Sequence, residues 1–183
     1  MGVGTLVLVV GPSGAGKDSL IAAARRHFHG NPRFVFPRRI VTRDVVAEFE
    51  DHDSLDRDGF TLARARGEFA LDWEAHGLCY AVPGTVDAEI ATGRIVVANA
   101  SRRVLPGALV KYPRARVVVV TADLAVRARR LAGRGRESPD DVAARLGREG
   151  ALVPAGMDAV VIDNSGALEA GIAAFIAALQ RLG

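Results

Sequence analysis

A glycine-rich segment near the start of the chain reads GPSGAGKD over residues 11–18. It follows the short apolar run Thr5–Val10 and opens onto a stretch of good helix formers that begins at Ser19. A strand, a glycine loop with a lysine and then a helix is the context of a phosphate-binding loop, or P-loop. Glycines let backbone N–H groups converge on phosphate oxygens, and the helix directs its positive end at the same anion. We therefore predict nucleotide binding by Gly11, Pro12, Ser13, Gly14, Ala15, Gly16, Lys17, Asp18 and Ser19, with Lys17 as a catalytic cation for the β- and γ-phosphates.

Asp18 departs from the usual P-loop pattern, which has Ser or Thr after the lysine as a ligand for Mg²⁺. A carboxylate is a good hard-oxygen ligand for Mg²⁺, but it adds negative charge beside a polyphosphate. Two interpretations follow from the residue type. Asp18 either holds Mg²⁺, directly or through water, or acts as an acidic residue at a helix N-terminus.

Length and composition restrict the class of protein. A chain of 183 residues is expected to form one domain, 1–183, and 49% hydrophobic residues indicate a globular chain. Arginine supplies 22 of the 24 basic residues, but the net charge is only +3 and no nucleic-acid motif occurs, so no nucleic-acid partner is predicted. No apolar run reaches the length of a membrane span, and no signal peptide is recognisable, so we expect a cytoplasmic protein without a membrane partner. The single cysteine, Cys79, fits a reducing compartment.

Apolar runs alternate with helical patterns along the chain, which predicts a parallel α/β sheet of five strands with helices on both faces. The predicted strands are Thr5–Val10, Phe34–Val41, Arg94–Ala98, Arg116–Thr121 and Ala159–Ile162. The predicted helices are Asp18–His27, Thr85–Ala91, Arg102–Lys111, Asp123–Leu131, Pro139–Arg148 and Ala167–Leu182.

About 40 residues of mixed character, 43–83, interrupt this alternation. A helix over Phe60–Arg66 and a strand pair, Phe69–Trp73 with Leu78–Val82, are predicted within them. A long insertion between two strands of the sheet indicates a substrate-binding subdomain.

An arginine-rich segment follows the fourth predicted strand. Arg134 and Arg136 alternate with Gly133 and Gly135. Arginines on a turn with glycine hinges can close over a phosphoryl-transfer site and neutralise charge in the transition state, so we predict a lid at 133–138 with catalytic Arg134 and Arg136. For Arg127 and Arg129 two interpretations stay open, a solvated basic helix face or a part in phosphoryl transfer.

These motifs resemble the guanylate-kinase-like branch of the nucleoside-monophosphate kinases. The stretch Arg130–Glu137 with Arg145 downstream is similar to its lid, and Thr42-Arg43 is similar to its phosphate-binding Thr-Arg. Departures are equally clear. The position of its guanine-reading Glu is Leu71, and the position of its second phosphate-binding Arg is Val46. Where its strand carries an Asp, this chain reads VVAN over residues 96–99. A leucine cannot accept hydrogen bonds from a purine.

The ribose 1,5-bisphosphate phosphokinase family of phosphonate degradation is a closer resemblance over nearly the whole chain. It is similar in GPSGAGKDS (11–19), RIVTRD (39–44), LDWEAHGLCY (71–80), NASR (99–102) and RGRE (134–137). The resemblance implies that the γ-phosphoryl group of ATP, with Mg²⁺, passes to the 1-phosphate of ribose 1,5-bisphosphate. The products are ADP and 5-phospho-α-D-ribose 1-diphosphate, a nucleotide precursor.

The resemblance also implies an acceptor site for a small sugar phosphate. Its candidates are Arg39, Arg43, Trp73, His76, Tyr80, Asn99, Ser101, Arg102 and Arg145, with Arg130 and Asn164 on the nucleotide side. Simple packing is an alternative for Trp73 and Tyr80, and a helix N-terminal turn is an alternative for Asn164. A guanylate kinase and a non-catalytic guanylate-kinase-like binding module are the competing functions, and a homodimer is compatible with the sequence.

Overall fold

A computed structural model describes residues 4–43, 52–75, 77–133, 153 and 157–182. The strands in this part of the chain are β1 Thr5–Val10, β2 Phe34–Val35, β3 Arg39–Val41, β4 His52–Ser54, β5 Phe69–Ala75, β6 Leu78–Pro83, β7 Ile95–Asn99, β8 Arg116–Thr121 and β9 Val160–Asp163. The helices are α1 Lys17–His27, α2 Arg57–Ala65, α3 Val86–Ala91, α4 Leu105–Lys111, α5 Leu124–Ala132 and α6 Leu168–Leu182, and a 3₁₀ turn spans Arg102–Val104.

The main sheet has five strands in the order β2-β7-β1-β8-β9. β2 runs parallel to β7, and β8 runs parallel to β9. The central strands β1, β7 and β8 are apolar and buried at nearly every position, as expected for strands that are covered on both faces. The predicted α/β fold with a parallel five-stranded sheet is confirmed.

The prediction of one strand over Phe34–Val41 is wrong. The segment forms two strands in different sheets, β2 beside β7 and β3 beside β6. Pro37 lies between them. Proline has no N–H to donate to a sheet ladder and fixes its own φ, so it separates two strands where the apolar pattern alone indicates one.

A second sheet has the order β4-β3-β6-β5. Its hairpin, β5 with β6, is the antiparallel pair that the sequence predicts. The helix α2 covers one face of this sheet, where Phe60 packs with Cys79 and Ala81. Cys79 is therefore a small apolar residue of the core, and the opposite face carries Tyr80.

The chain divides into two compact units. One comprises Met1–Leu8 and Gly30–Ala115, and the other comprises Val9–His29 and Arg116–Gly183. The first unit includes the predicted substrate-binding segment 43–83, and the second includes the P-loop.

Most helix predictions agree with the structure to within a few residues. The predicted helix Arg102–Lys111 instead begins as a 3₁₀ turn and becomes α-helical at Leu105, with Pro106 in the first turn of α4. Pro139–Arg148 lies outside the described residues. Within the ranges that the structure describes, no helix combines the length and the apolar composition that a membrane span requires.

Candidate active site

The P-loop joins β1 to α1, and two of its glycines are required by geometry. Gly11 has φ +145°, and a Cβ there would lie 2.0 Å from the carbonyl oxygen of Val120 in β8. Gly16 has φ +93°, and its Cβ would lie 2.4 Å from Nδ2 of Asn164. A side chain at either position would meet both backbone strain and a steric clash. The loop backbone can therefore lie directly against Val120 of β8 and against Asn164.

Lys17 begins α1 and extends over its own loop. Its Nζ donates hydrogen bonds to the carbonyl oxygens of Gly11 at 2.8 Å and Pro12 at 3.0 Å. These contacts hold the ammonium group at the N-terminal side of the loop. A cation held in this place, at the positive end of a helix, makes the local field favourable for polyanions.

Three polar side chains hold the loop through its carbonyl groups. Nε of Arg127 donates to Ser13 O at 3.1 Å, and Nδ2 of Asn164 donates to Ala15 O at 2.8 Å. The guanidinium of Arg130 donates to Ala15 O at 3.4 Å and to Asn164 O at 2.9 Å. Charged and amide donors on backbone carbonyls fix the orientation of the peptide groups that they contact.

The placement of these three residues refines the sequence analysis. Arg127 is only 4% exposed, so the interpretation of a solvated basic face is wrong for this residue, whereas Arg129 is exposed. Sequence reasoning missed Arg127 as a contact of the loop, because charge spacing on a helix does not show which side faces the protein. Asn164 is 1% exposed, and its amide group is used within the protein. Its predicted adenine contact stays a prediction.

The segment that follows β9 forms a short hydrogen-bonded turn. Ser165 donates to the Asp163 carboxylate through its backbone N–H at 3.0 Å and through its hydroxyl, and these bonds lower the pKa of that carboxyl. The backbone N–H of Asp123 donates to Ser165 Oγ at 2.8 Å. The turn therefore ties the start of α5 to the end of β9 and sets the position from which Asn164 reaches the P-loop.

Asp18 and Ser19 are exposed in the first turn of α1. Among the described residues, no group of three or more His, Cys, Asp or Glu side chains could hold a metal ion. An all-protein metal cage is therefore not present in this part of the chain. The single carboxylate of Asp18 at the start of α1 fits Mg²⁺, which is commonly bound by one or two carboxylates together with substrate phosphates and water.

In the first unit, three of the predicted acceptor residues form a stack on the second sheet. Tyr80 pairs directly with Val41 on one side and with Trp73 on the other. The Trp73 and Tyr80 rings are stacked, with centroids 5.6 Å apart and planes 7° apart. The guanidinium carbon of Arg39 lies 5.7 Å from the centre of the Tyr80 ring. The three side chains share the face opposite α2, and the stack fixes the orientation of the Tyr80 ring.

The Thr42-Arg43 pair follows β3. Thr42 pairs with Cys79, donating its N–H to Cys79 O at 3.0 Å and accepting the Cys79 N–H on its hydroxyl oxygen at 2.8 Å. Arg43 directly follows this anchored residue and is exposed. Leu71 is 9% exposed and pairs with Val82, so an apolar residue of the sheet occupies the position of a purine-reading glutamate.

The remaining candidates of the first unit lie where β7 ends. Asn99 closes the strand and is 9% exposed. Ser101 caps the following 3₁₀ turn by accepting the Arg103 N–H at 3.3 Å. Arg102 is the first residue of that turn and is half-buried. Four predicted residues, His76, Arg134, Arg136 and Arg145, lie outside the described residues.

No family model matches the sequence. Curated proteins, however, are similar to it over nearly its whole length. The ribose 1,5-bisphosphate phosphokinase PhnN of Brucella melitensis is 50% identical over 179 residues, which are 98% of this chain and 93% of that protein. The protein of the same name from Methylobacterium radiotolerans is 48% identical over 177 residues, 97% of this chain and 98% of its own. A bifunctional ribose 1,5-bisphosphokinase-thymidine phosphorylase of Cupriavidus necator is 46% identical, and the match covers 97% of this chain and 29% of that protein.

Solved structures share the fold at low sequence identity. A guanylate kinase from Anaplasma phagocytophilum has a TM-score of 0.68 at 17% identity and covers 98% of this chain and 86% of its own. A gluconokinase from Sinorhizobium meliloti has a TM-score of 0.52 at 17% identity, covering 98% and 93%. These two likenesses bear on the fold alone.

Proposed function

The chain belongs to the ribose 1,5-bisphosphate phosphokinase family, and we propose that it phosphorylates ribose 1,5-bisphosphate with ATP. An oxygen of the 1-phosphate forms a bond to the γ-phosphorus, and the bond from that phosphorus to the β,γ-bridging oxygen breaks. The products are 5-phospho-α-D-ribose 1-diphosphate and ADP. The observation that carries the proposal is the 50% identity over 98% of the chain, together with a P-loop whose geometry is intact.

The acceptor group determines what the protein has to supply. A phosphate oxygen is already anionic at neutral pH, so the reaction needs no general base. The chain must align two polyanions and offset the charge that their approach concentrates. Cations and backbone N–H groups in fixed positions are the appropriate chemistry.

On the donor side, the N–H groups of Gly11, of residues 13–16 and of the first turn of α1 bind the ATP phosphates; Pro12 has no N–H to donate. Lys17 contacts the β- and γ-phosphates after exchanging one or both of its loop carbonyl contacts for phosphate oxygens. Arg134 and Arg136 of the predicted lid stabilise charge in the transition state. Arg130 and Asn164 act on the loop itself through Ala15.

Mg²⁺ fits the donor set at the start of α1, where Asp18 would hold it together with phosphate oxygens and water. When bound, the ion supplies charge neutralisation between the phosphates. Because Asp18 takes the place of a hydroxyl, this chain offers the ion a formal negative charge. That negative charge strengthens the attraction for a dication. It also increases the repulsion of a nucleotide that carries no bound dication.

On the acceptor side, Arg39, Arg43 and Arg102 bind the two phosphates through charge-assisted hydrogen bonds. Trp73, His76 and Tyr80 shape the sugar pocket, and the stack of Arg39 on Tyr80 on Trp73 supports a fixed orientation for the rings of Tyr80 and Trp73. Asn99, Ser101 and Arg145 complete the proposed set. The buried Leu71 supports an acceptor that has no nucleobase, because a site that reads guanine needs hydrogen-bonding groups.

The product is a precursor of nucleotides, which places the reaction between phosphonate degradation and nucleotide synthesis. A cytoplasmic location and a homodimer remain predictions.

Phosphorus NMR of the reaction tests the proposal. With ATP and Mg²⁺, ribose 1,5-bisphosphate should yield a new 1-diphosphate signal and ADP, and GMP should be a poor acceptor. The variant Lys17→Ala should lower kcat by on the order of a hundredfold or more, which separates the enzyme from contaminating kinases. Efficient GDP formation without reaction of the sugar bisphosphate would identify a guanylate kinase. If neither ribose 1,5-bisphosphate nor GMP supports ADP formation, both kinase functions are contradicted.

A further inference from the structure

We propose that Arg127 is a positioning residue for nucleotide binding, which orients one peptide group of the P-loop through the hydrogen bond that its Nε donates to Ser13 O. It does not touch the nucleotide in this proposal. The inference rests on the nucleotide-binding part of the proposed function and is independent of the identity of the acceptor.

The position of Arg127 is unusual for a charged residue. It lies in the middle of α5, between the exposed Leu124 and the exposed Arg129, yet only 4% of it is exposed. Arginine is rarely buried to this extent unless it has specific polar contacts. The Nε contact with Ser13 O at 3.1 Å is such a contact, and it joins residues 114 positions apart.

A second contact shows that the loop lies directly on this residue. The backbone of Gly14 approaches the backbone of Arg127 so closely that a Cβ on Gly14 would lie 2.8 Å from the carbonyl oxygen of Arg127. The peptide group between Ser13 and Gly14 is therefore held from two sides. Its carbonyl accepts from the side chain of Arg127, and its glycine packs on the main chain of Arg127.

The consequence for phosphate binding follows from peptide geometry. In a planar trans peptide, the C=O of one residue and the N–H of the next point in opposite directions. Holding Ser13 C=O against α5 therefore directs the Gly14 N–H away from α5. The contacts of Asn164 and Arg130 with Ala15 O act on the Gly16 N–H in the same way. The cradle of N–H groups is thus fixed before the phosphates bind, and a ligand need not order it.

Two uncharged variants of similar length separate the hydrogen bond from the charge. In Arg127→Gln, the amide nitrogen stands at the same number of bonds from Cα as the arginine Nε, so it can donate to Ser13 O. In Arg127→Met, a methyl group stands there and cannot donate. Arg129→Gln and Arg129→Met on the exposed face of α5 are the matched controls.

The readout is the Kd for ADP, measured by calorimetry without acceptor and well below each variant's Tm. We expect Arg127→Met to bind ADP roughly tenfold more weakly, as for the loss of one charge-assisted hydrogen bond. Arg127→Gln should regain most of that loss, the Arg129 variants should match the wild type, and adenosine should bind all of them alike. A merely structural role would lower Tm in both Arg127 variants and leave the Kd unchanged.

Equal losses of ADP affinity in the Gln and Met variants would overturn the proposal and assign Arg127 a role through its charge. If Arg127→Met does not fold, Arg127→Lys replaces it, because lysine keeps the charge but places its donor one atom farther from Cα. The proposal then requires tighter ADP binding by Gln than by Lys, and the reverse order overturns it. A wild-type chain that does not bind ADP would instead refute the proposed function.

Discussion

Individual residues of the P-loop have separable tasks. Gly11 and Gly16 allow the backbone to approach β8 and Asn164, Lys17 supplies a cation beside the loop carbonyls, and Arg127 donates a hydrogen bond to Ser13 O. Asp18 differs from all of these, because it is exposed at the start of α1 and carries a negative charge beside the proposed phosphate site. Its effect should therefore depend on a cation, which makes it the residue best tested on its own.

Asp18→Ala should raise the Mg²⁺ concentration needed for half-maximal activity by roughly tenfold or more, as expected when a ligand of a metal or its water is lost. The KM for ribose 1,5-bisphosphate should change much less. Asp18→Ser restores the hydroxyl of most P-loops, and its Mg²⁺ requirement should lie between those of the wild type and Asp18→Ala. The measurement is kcat and KM across a Mg²⁺ titration at constant ionic strength.

Glu169→Ala is the matched control, since Glu169 is likewise an exposed acidic residue in the first turn of a helix, α6, and is outside the proposed site. Its Mg²⁺ dependence should equal that of the wild type. An Asp18→Ala variant with unchanged Mg²⁺ dependence would leave Asp18 with only the role of an acidic residue in the first turn of α1.

At the level of elements, the sequence predicts what depends on local pattern. The central strands are recognisable because residues 6–10 and 117–120 are apolar without interruption, and α1 begins where the glycine pattern ends. The short strand His52–Ser54 was not predicted, because its polar residues become a strand only through pairing with β3. The burial of Arg127 likewise depends on packing between distant segments, which helical periodicity does not reveal.

A pair of helical glycines tests whether α6 helps to position the P-loop. Gly171 is buried in α6, and a Cβ there would lie 2.3 Å from Oδ1 of Asn164. Gly107 in α4 has no atom within 4 Å of such a Cβ. Alanine favours a helix by about 1 kcal/mol over glycine. Gly107→Ala should therefore raise Tm by about 2–4 °C, whereas Gly171→Ala should lower Tm and displace the Asn164 amide from Ala15 O.

Thermal denaturation and ADP binding distinguish the two glycine effects. A Gly171→Ala variant should bind ADP more weakly than the wild type at a temperature where both are folded, and Gly107→Ala should bind it equally well. A higher Tm for both variants would show that Asn164 adjusts its position without cost.

At the scale of the whole molecule, the residues proposed to bind the nucleotide and those proposed to bind the acceptor belong to different units. The P-loop, α5 and the segment after β9 lie in the unit with residues 9–29 and 116–183, and the stack of Arg39, Tyr80 and Trp73 lies in the other. The sequence predicts the P-loop itself because its glycine and lysine motif is local and specific, whereas its contact with Arg127 joins distant segments and was missed. The arrangement of the acceptor residues depends on register within the second sheet, which places Arg39 and Trp73 on either side of Tyr80.

This division predicts that one substitution can remove the stabilisation by the nucleotide or by the acceptor without affecting the other. A ligand at 100 times its Kd stabilises a folded protein by about 2.7 kcal/mol, which corresponds to a Tm increase of roughly 5 °C or more for a chain of this size. ADP should give this shift in the wild type and in Arg43→Ala, but a much smaller one in Lys17→Ala. Ribose 1,5-bisphosphate should stabilise the wild type and Lys17→Ala, but not Arg43→Ala, because only the acceptor loses a charge-assisted contact there. Differential scanning fluorimetry with each ligand measures all six shifts, and loss of both ligand responses in either variant would contradict the assignment of Lys17 and Arg43 to separate substrates.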